Sequence, residues 1–302
     1  MIYLKLEGRI GNQLFQFAYA EAIRQKRGRN EIIVVDDYEV CKLDWIDSLH
    51  DYNIPNVEFV SEKNALAKRF PLKYAGLRLF QHMEKNKSYM QKFEMEKRAQ
   101  PVLNDLGIVR CENGFLEGIN LNAKNIVLSG FFQSEKYFAE AKKHIVKDFE
   151  LKNGRRLAEY PNIDKIRERN SVCISAKVQH NVGNPLYDVC NDGYWKKAIE
   201  LIGEKVENPL FFICSDDVDY VMNNLIDCDK YDVICQNGDF SVSESLAAMA
   251  MCKNFIIGNT TYGWWAQYLS DYSKKIVAAP SKWMRVEMPI DIYQDGWHLI
   301  EV

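Results

Sequence analysis

Apolar positions along the chain fall into short runs separated by amphipathic stretches, the alternation expected of a parallel α/β protein. Ile2–Leu6 reads as a buried strand. The turn Glu7 to Gln13 comes next, and then Leu14, Phe15, Phe17, Ala18, Ala22 and Ile23 recur at helical spacing. Glu31–Asp37 is a second buried run ending in acids, which makes the opening a strand–turn–helix–strand unit. Residues 61–100 are helix-prone. Asn125–Phe132 predicts a strand, and Gln133-Ser134 leads into a helix that lasts to about Asp148.

Asn153-Gly154 and Tyr160-Pro161 then interrupt the pattern, which places a domain boundary near 160. The second half repeats the alternation. Ser171–Lys177, Leu210–Cys214, Val233–Cys235, Phe255–Ile257 and Lys275–Ala279 read as strands. Tyr194–Gly203, Ser243–Cys252 and Thr261–Leu269 read as helices. The expectation is two Rossmann-like halves, residues 1–160 and 161–302, facing a cleft. Ligands of such sheets bind beyond the carboxyl ends of the strands, so the turns after the strands carry the chemistry.

Composition narrows the class. With 47% hydrophobic and 27% charged residues, the chain is an ordinary globular one rather than a disordered one. A formal net charge of −3 provides no field to attract nucleic acid. The eight cysteines stand singly in apolar stretches with no C-x-x-C pair, as reduced, buried thiols do. No charged leader precedes an apolar run, and no stretch is apolar enough to span a bilayer, so a cytoplasmic location is expected. Residues 61–100 carry ten Lys/Arg against four Glu. Two readings stay open for them: solvated helix faces, or a basic amphipathic surface that rests on anionic lipid or meets an acidic acceptor.

The first chemical signal is Gly8-Arg9-Ile10-Gly11-Asn12-Gln13. Two glycines three apart at a strand-to-helix turn let the backbone approach a ligand and aim N–H groups at it. With Leu14-Phe15-Gln16-Phe17-Ala18 after it, the stretch resembles the G-G-x-G-N-Q-x-F-Q-Y-A opening of the family 11 glycosyltransferases, the α-1,2-fucosyltransferases. Three further segments resemble that family in order and spacing. They are Ser129-Gly130-Phe131-Phe132-Gln133-Ser134, then Phe211 to Tyr220 with Ser215-Asp216-Asp217 inside it, and Asn259-Thr260-Thr261-Tyr262-Gly263-Trp264-Trp265-Ala266. The likeness extends over almost the whole chain.

Each segment also has a physical reading. Asp216 and Asp217, at a strand's carboxyl end, can accept hydrogen bonds from a guanine edge or ribose hydroxyls; Asp216 can equally cap the next helix. Asp217-Val218-Asp219 spells D-x-D, a metal–diphosphate signature elsewhere, but the resemblance implies an enzyme that works without a metal or other cofactor. Asn259, Thr260 and Thr261 offer hydroxyls and N–H groups at a helix start, a seat for phosphate oxygens. Trp264 and Trp265 read as core.

One segment departs from the family. Where the family carries H-x-R-R-G-D-Y, this chain reads Ser175-Ala176-Lys177-Val178-Gln179-His180-Asn181. The resemblance implies a cation here that holds the donor's β-phosphate, because bond cleavage leaves negative charge on the diphosphate. Lys177 supplies one charge without an arginine's bidentate fork. Arg9, Arg155, Arg156 and Arg285 are candidates to add charge, and His180 is a candidate general base.

Taken over the whole chain, the resemblance implies an inverting glycosyltransferase of the GT-B type, moving fucose from GDP-fucose to a glycan hydroxyl. Gly11, Asn12 and Gln13 are assigned to the acceptor side. Ser175, Asp216, Asp217, Asn259, Thr260 and Thr261 are assigned to the donor, and Lys177 and His180 to catalysis. The expected acceptor is a cytoplasmic glycan such as a lipid-linked repeat unit of a surface polysaccharide, with the 61–100 stretch at the membrane face. Two alternatives remain. One keeps the fold and takes another nucleotide sugar. The other is a non-catalytic relative that binds glycan or nucleotide.

Overall fold

Two all-parallel sheets organise the chain, and strand spacing along the sequence dictates them: short strands alternate with helices long enough to cross back over a sheet face. The structure, a computed structural model, describes residues 1–28 and 30–302. It divides into two units, Met1–Glu150 with Glu287–Tyr293, and Leu151–Val286 with Gln294–Val302. The residues between Leu151 and Tyr160, expected in the first half, belong to the second. Tyr160 ties them there through its hydroxyl, which donates to the carbonyl of Cys235 at 2.8 Å.

In the first unit β1 (Ile2–Lys5), β2 (Ile33–Asp36), β3 (Val57–Val60), β4 (Ile108–Cys111) and β5 (Ile126–Gly130) lie in the order β3-β2-β1-β5-β4. Tyr3, Val34, Ile108 and Val127 on one face pack against Leu66, Leu77 and Phe80 from the helix-prone stretch and Leu103 just past it. That stretch forms the helices Ala65–Arg69, Pro71–Glu84 and Tyr89–Asp105. Burying each such aliphatic or aromatic side chain contributes roughly 1.5–3 kcal/mol. Gly130 closes β5 where a Cβ would lie 1.9 Å from the carbonyl oxygen of Cys111, so only glycine fits.

In the second unit β6 (Ser171–Ala176), β7 (Leu210–Ser215), β8 (Asp232–Cys235), β9 (Asn254–Ile257), β10 (Val277–Pro280) and β11 (His298–Ile300) lie in the order β11-β10-β9-β6-β7-β8. Counted from β6, this is the 3-2-1-4-5-6 order of dinucleotide-binding sheets. The chain reverses direction across the sheet between β6 and β9, where Ser175 pairs with Ile257. Trp195, Tyr194, Phe211 and Ile256 anchor this unit's core. Trp264 and Trp265 are fully buried, as expected of core residues. Among the described residues no helix is long and apolar enough to cross a membrane.

Most expected elements are present within a residue or two. β3, β4 and β11 do not stand out in the sequence pattern. β4 hides because it carries Arg110, whose guanidinium is buried with Glu84 and Glu112 at 2.7 Å and Glu96 at 3.6 Å. One cation faces three carboxylates. Burial, opposed by Arg110, pushes the Glu96 carboxyl up to about 8. The folded chain then holds a proton that the unfolded chain releases between the ordinary carboxylate range and about pH 8, so stability falls as pH rises through that window. Glu96→Gln keeps the acceptor that the Glu112 N–H uses at 2.9 Å. Thermal melts from pH 5 to 8 are expected to show a declining wild-type Tm and a flatter variant.

Candidate functional site

The carboxyl end of the second sheet gathers the predicted donor-side residues. Ser175, the last residue but one of β6, is buried and packs against Gly263, where a Cβ would stand 2.9 Å from the serine Oγ. A larger residue at 175 therefore meets the helix Thr261–Leu269. The chain then turns through Lys177, Val178, Gln179 and His180. Asp216, at the end of β7, holds this turn: its two oxygens accept the N–H groups of Val178 and His180, each at 2.8 Å. Asp217, rather than Asp216, caps the next helix, Val218–Asn224, by accepting the Tyr220 N–H at 2.8 Å. Its second oxygen accepts from the Gln179 side chain. Each carboxylate already carries protein hydrogen bonds, and only its spare lone pairs remain for a ligand.

Across the reversal point, Asn259 comes after β9 and is buried. Its amide donates to the carbonyls of Tyr187 at 3.1 Å and Trp283 at 3.0 Å, and its Oδ1 accepts from the Cys190 thiol at 3.4 Å. Asn259 thus fastens two loops to the sheet. Thr260 caps the helix Thr261–Leu269, its Oγ1 accepting the Gly263 N–H at 3.1 Å, and Thr261 opens that helix. Lys177 directly follows β6 and the helix start follows β9, so both leave the sheet at its carboxyl end by the β6/β9 reversal, where the helix presents its positive dipole end. Lys177 is half-buried and His180 exposed.

Gly11, Asn12 and Gln13 lie in the first unit, at the start of the helix Ile10–Arg27 after β1. Gly8 turns with a φ of +81°, where a Cβ would press on Asn12. Gln13 is fully buried and works as a clamp. It donates to the carbonyls of Gly8 at 3.0 Å and Ile46 at 2.9 Å, and accepts the Ser48 N–H at 2.9 Å. Gln16 grips the Glu7 backbone in the same way, at 2.9 and 2.8 Å. Asn12 accepts from Gln133 at 2.9 Å, which joins the glycine turn to the segment after β5.

Two cavities open in this first unit. One, of about 370 Å³, is lined by Lys5 and Asp36 at the ends of β1 and β2, and by Lys63, Tyr74, Arg78 and Gln81 from the basic stretch. The other, of about 630 Å³, lies by Phe93, Lys97, Gly114–Gly118, Lys136 and Asp291. Asp36 accepts from the Tyr3 hydroxyl at 2.7 Å, and burial pushes its carboxyl above the ordinary range.

The four extra cations are dispersed. Arg9 lies over the Trp45 ring at 5.7 Å in the first unit. Arg155 pairs with Glu159 at 2.8 Å, and Arg156 with Glu244 at 3.5 Å. Arg285 is placed differently: its N–H donates to Leu186 at 3.0 Å and its guanidinium lies 3.6 Å from Asp188, within the loops that Asn259 fastens.

The Glycosyl transferase family 11 model matches residues 110–301. The chain belongs to glycosyl transferase family 11. Over 303 residues it is 26% identical to an alpha-1,2-colitosyltransferase of Escherichia coli, covering 95% of this chain and 93% of that one. It is 24% identical to the O-antigen biosynthesis glycosyltransferase WbnK of Escherichia coli, over 98% and 99% of the two chains. Among solved structures, Arabidopsis thaliana FUT1 superimposes with a TM-score of 0.55 at 9% identity, over 91% of this chain and 69% of that one. The fucosyltransferase NodZ from Bradyrhizobium gives 0.51 at 12% identity, over 88% and 91%. These two likenesses concern the fold alone, a GT-B-type α/β architecture. This family 11 member is a glycosyltransferase, and the non-catalytic alternative falls away.

The grip of Asp216 is directly testable. In Asp216→Asn an amide group faces one of the two N–H donors. Backbone hydrogen exchange at 178–180 is expected to rise about tenfold, the weight of one charge-assisted hydrogen bond, while exchange in β6 and β7 stays unchanged. Unaltered exchange at 178–180 contradicts the assignment.

Proposed function

We propose that this glycosyltransferase transfers a GDP-activated 6-deoxyhexose, fucose first, with inversion onto a glycan hydroxyl in surface-polysaccharide synthesis. The observation that carries this reading is the carboxyl end of the second sheet: Lys177 follows β6 and the helix Thr261–Leu269 starts after β9, the two strands that neighbour each other at the reversal of a dinucleotide-type sheet. A diphosphate leaving group gains negative charge as the sugar departs, and an ammonium group with a helix N-terminus opposes that charge where it develops. The same reading assigns Ser175, Asp216, Asp217, Asn259, Thr260 and Thr261 to the donor, mostly through the loops they hold. It needs no resident metal or cofactor for the transfer. His180, on the loop that Asp216 fixes, is assigned as the base for the acceptor hydroxyl. FUT1, one of the proteins of like fold, was solved in complex with GDP, which supports a guanine nucleotide.

A second donor is favoured by one specific observation. Ser175 and Val178 stand where the family has His and Arg, and a relative of this chain is named for colitose, the 3-deoxy form of fucose. Smaller groups in the donor half suit a donor different from GDP-fucose. Thermal shifts with GDP, GDP-fucose, GDP-colitose, GDP-mannose and UDP-sugars separate the readings. At a hundred times its dissociation constant the true donor stabilises the fold by about 2.7 kcal/mol. A preference for UDP-sugars overturns the guanine assignment. Lys177→Ala is expected to lower transfer about a hundredfold or more with an unchanged Tm. His180→Ala is expected to lower transfer about a hundredfold while the thermal shift given by the donor stays unchanged.

We assign the acceptor to the first unit. Lys63 and Arg78 reach the smaller cavity from the basic stretch, which suits an acceptor with anionic groups such as a lipid-linked saccharide. On the helix Pro71–Glu84, Leu72, Leu79 and Met83 form a solvent-facing stripe at spacings of seven and four, 83%, 63% and 48% exposed. Leu106 abuts Gly76 beside it. An apolar stripe on a helix that also carries Lys73 and Arg78 fits the surface of an anionic membrane at the cytoplasmic face. Sedimentation with anionic vesicles is expected for the wild type and to be lost in Leu72→Glu/Leu79→Glu; a wild type that stays in solution refutes the membrane assignment.

A further inference from the structure

Just beyond β2, Asp37, Asp47 and His50 bring two carboxylate oxygens and an imidazole nitrogen within 4.8 Å of one another. Asp37 is 2% exposed, and its Oδ1 has no hydrogen-bond partner. The Asp47 side chain is 5% exposed, and its Oδ2 likewise has no hydrogen-bond partner. His50, 53% exposed, places Nε2 at 3.5 Å from that oxygen. Among the described residues no lysine or arginine forms an ion pair with either aspartate. Buried carboxylates side by side repel each other unless a cation or a shared proton intervenes.

The surroundings hold this arrangement in place. Gln13 grips the backbone on both sides of Asp47, at Ile46 and Ser48. Asp47 Oδ1 accepts the Leu49 N–H at 2.9 Å, which leaves Oδ2 aimed at the cluster. The His50 ring stacks on Phe59 at 3.9 Å. The glutamine of the glycine turn therefore positions a ligand-like group that plays no part in the donor chemistry described above.

We propose that Asp37, Asp47 and His50 bind one divalent first-row metal ion. Two carboxylate oxygens and one imidazole nitrogen are a ligand set for Mn²⁺ or Zn²⁺, with the remaining positions taken by water. The exposed His50 marks the entry side. Asp36 faces the smaller cavity while Asp37 belongs to the cluster, so the ion fastens the 45–51 loop to the strand end that supports one cavity wall. The site belongs to the first unit and does not depend on which sugar is transferred.

Mn²⁺ is the probe because it favours oxygen and nitrogen ligands over the exposed thiol of Cys41. Titrated into full-length protein freed of metal with a chelator, it is expected to lose its six-line electron spin resonance until one equivalent is bound. Asp47→Asn and His50→Ala should each weaken binding about tenfold or more, at least the cost of losing an outer-shell partner. Cys41→Ser, which keeps a short hydrogen-bonding side chain against Asp37, should bind as the wild type does. Mn²⁺ should raise the Tm of the wild type and of Cys41→Ser only, and melts without metal show whether each variant is folded. Absence of saturable binding leaves a shared proton between the two aspartates and overturns the proposal. Equal binding by all the variants overturns it as well, by placing the ion elsewhere.

Discussion

Backbone groups that leave a parallel sheet at its carboxyl edge lose their ladder partners, and buried ones must be satisfied by something else. In this protein short polar side chains do it. Asp216 takes two N–H groups of the turn after β6, Asn259 takes two carbonyls from separate loops, and Gln13 takes two carbonyls and an N–H. The turns after β1, β6 and β9 are all fixed this way. The residues that look most like ligand-binding groups therefore work first as fasteners, and their influence on a ligand passes through the loops they position.

Read as the donor half, the second unit is sparing with charge. Where the family pattern has an arginine pair, this chain offers Lys177, a point charge without a fork. Such an arrangement depends on orientation more than on the number of cations, which suits a turn held at two points by one carboxylate. Other arginines are committed to structure. Arg110 is buried among three carboxylates in β4, and Arg24 is buried with Glu21 while donating to the carbonyl of Pro55.

Strand positions were legible where burial on both faces forces a continuous apolar run, as in β1, β2, β6, β7 and β9. β4 was not, because its Arg110 is neutralised by residues as far away as Glu84, and no local pattern announces a long-range ion pair. β3 and β11 are short and half-exposed, so their sequences carry little apolar signal. The Asp37–Asp47–His50 cluster was missed for a related reason: its members sit at a strand end and on a loop with no motif spacing between them.

The sequence by itself determined the α/β alternation, the family resemblance and the segments that end the key strands, because these depend on local periodicity and on residue types a few positions apart. What those residues do follows from packing between distant segments. It made Asp217 the helix cap and Asp216 the loop holder, turned Gln13 and Asn259 into clamps, and set Asp37 beside Asp47 with bare oxygens. Each of these rests on a contact between segments distant along the chain or on the direction of a single side chain. Neither is encoded in spacing, because both arise from how the sheets and their crossovers pack.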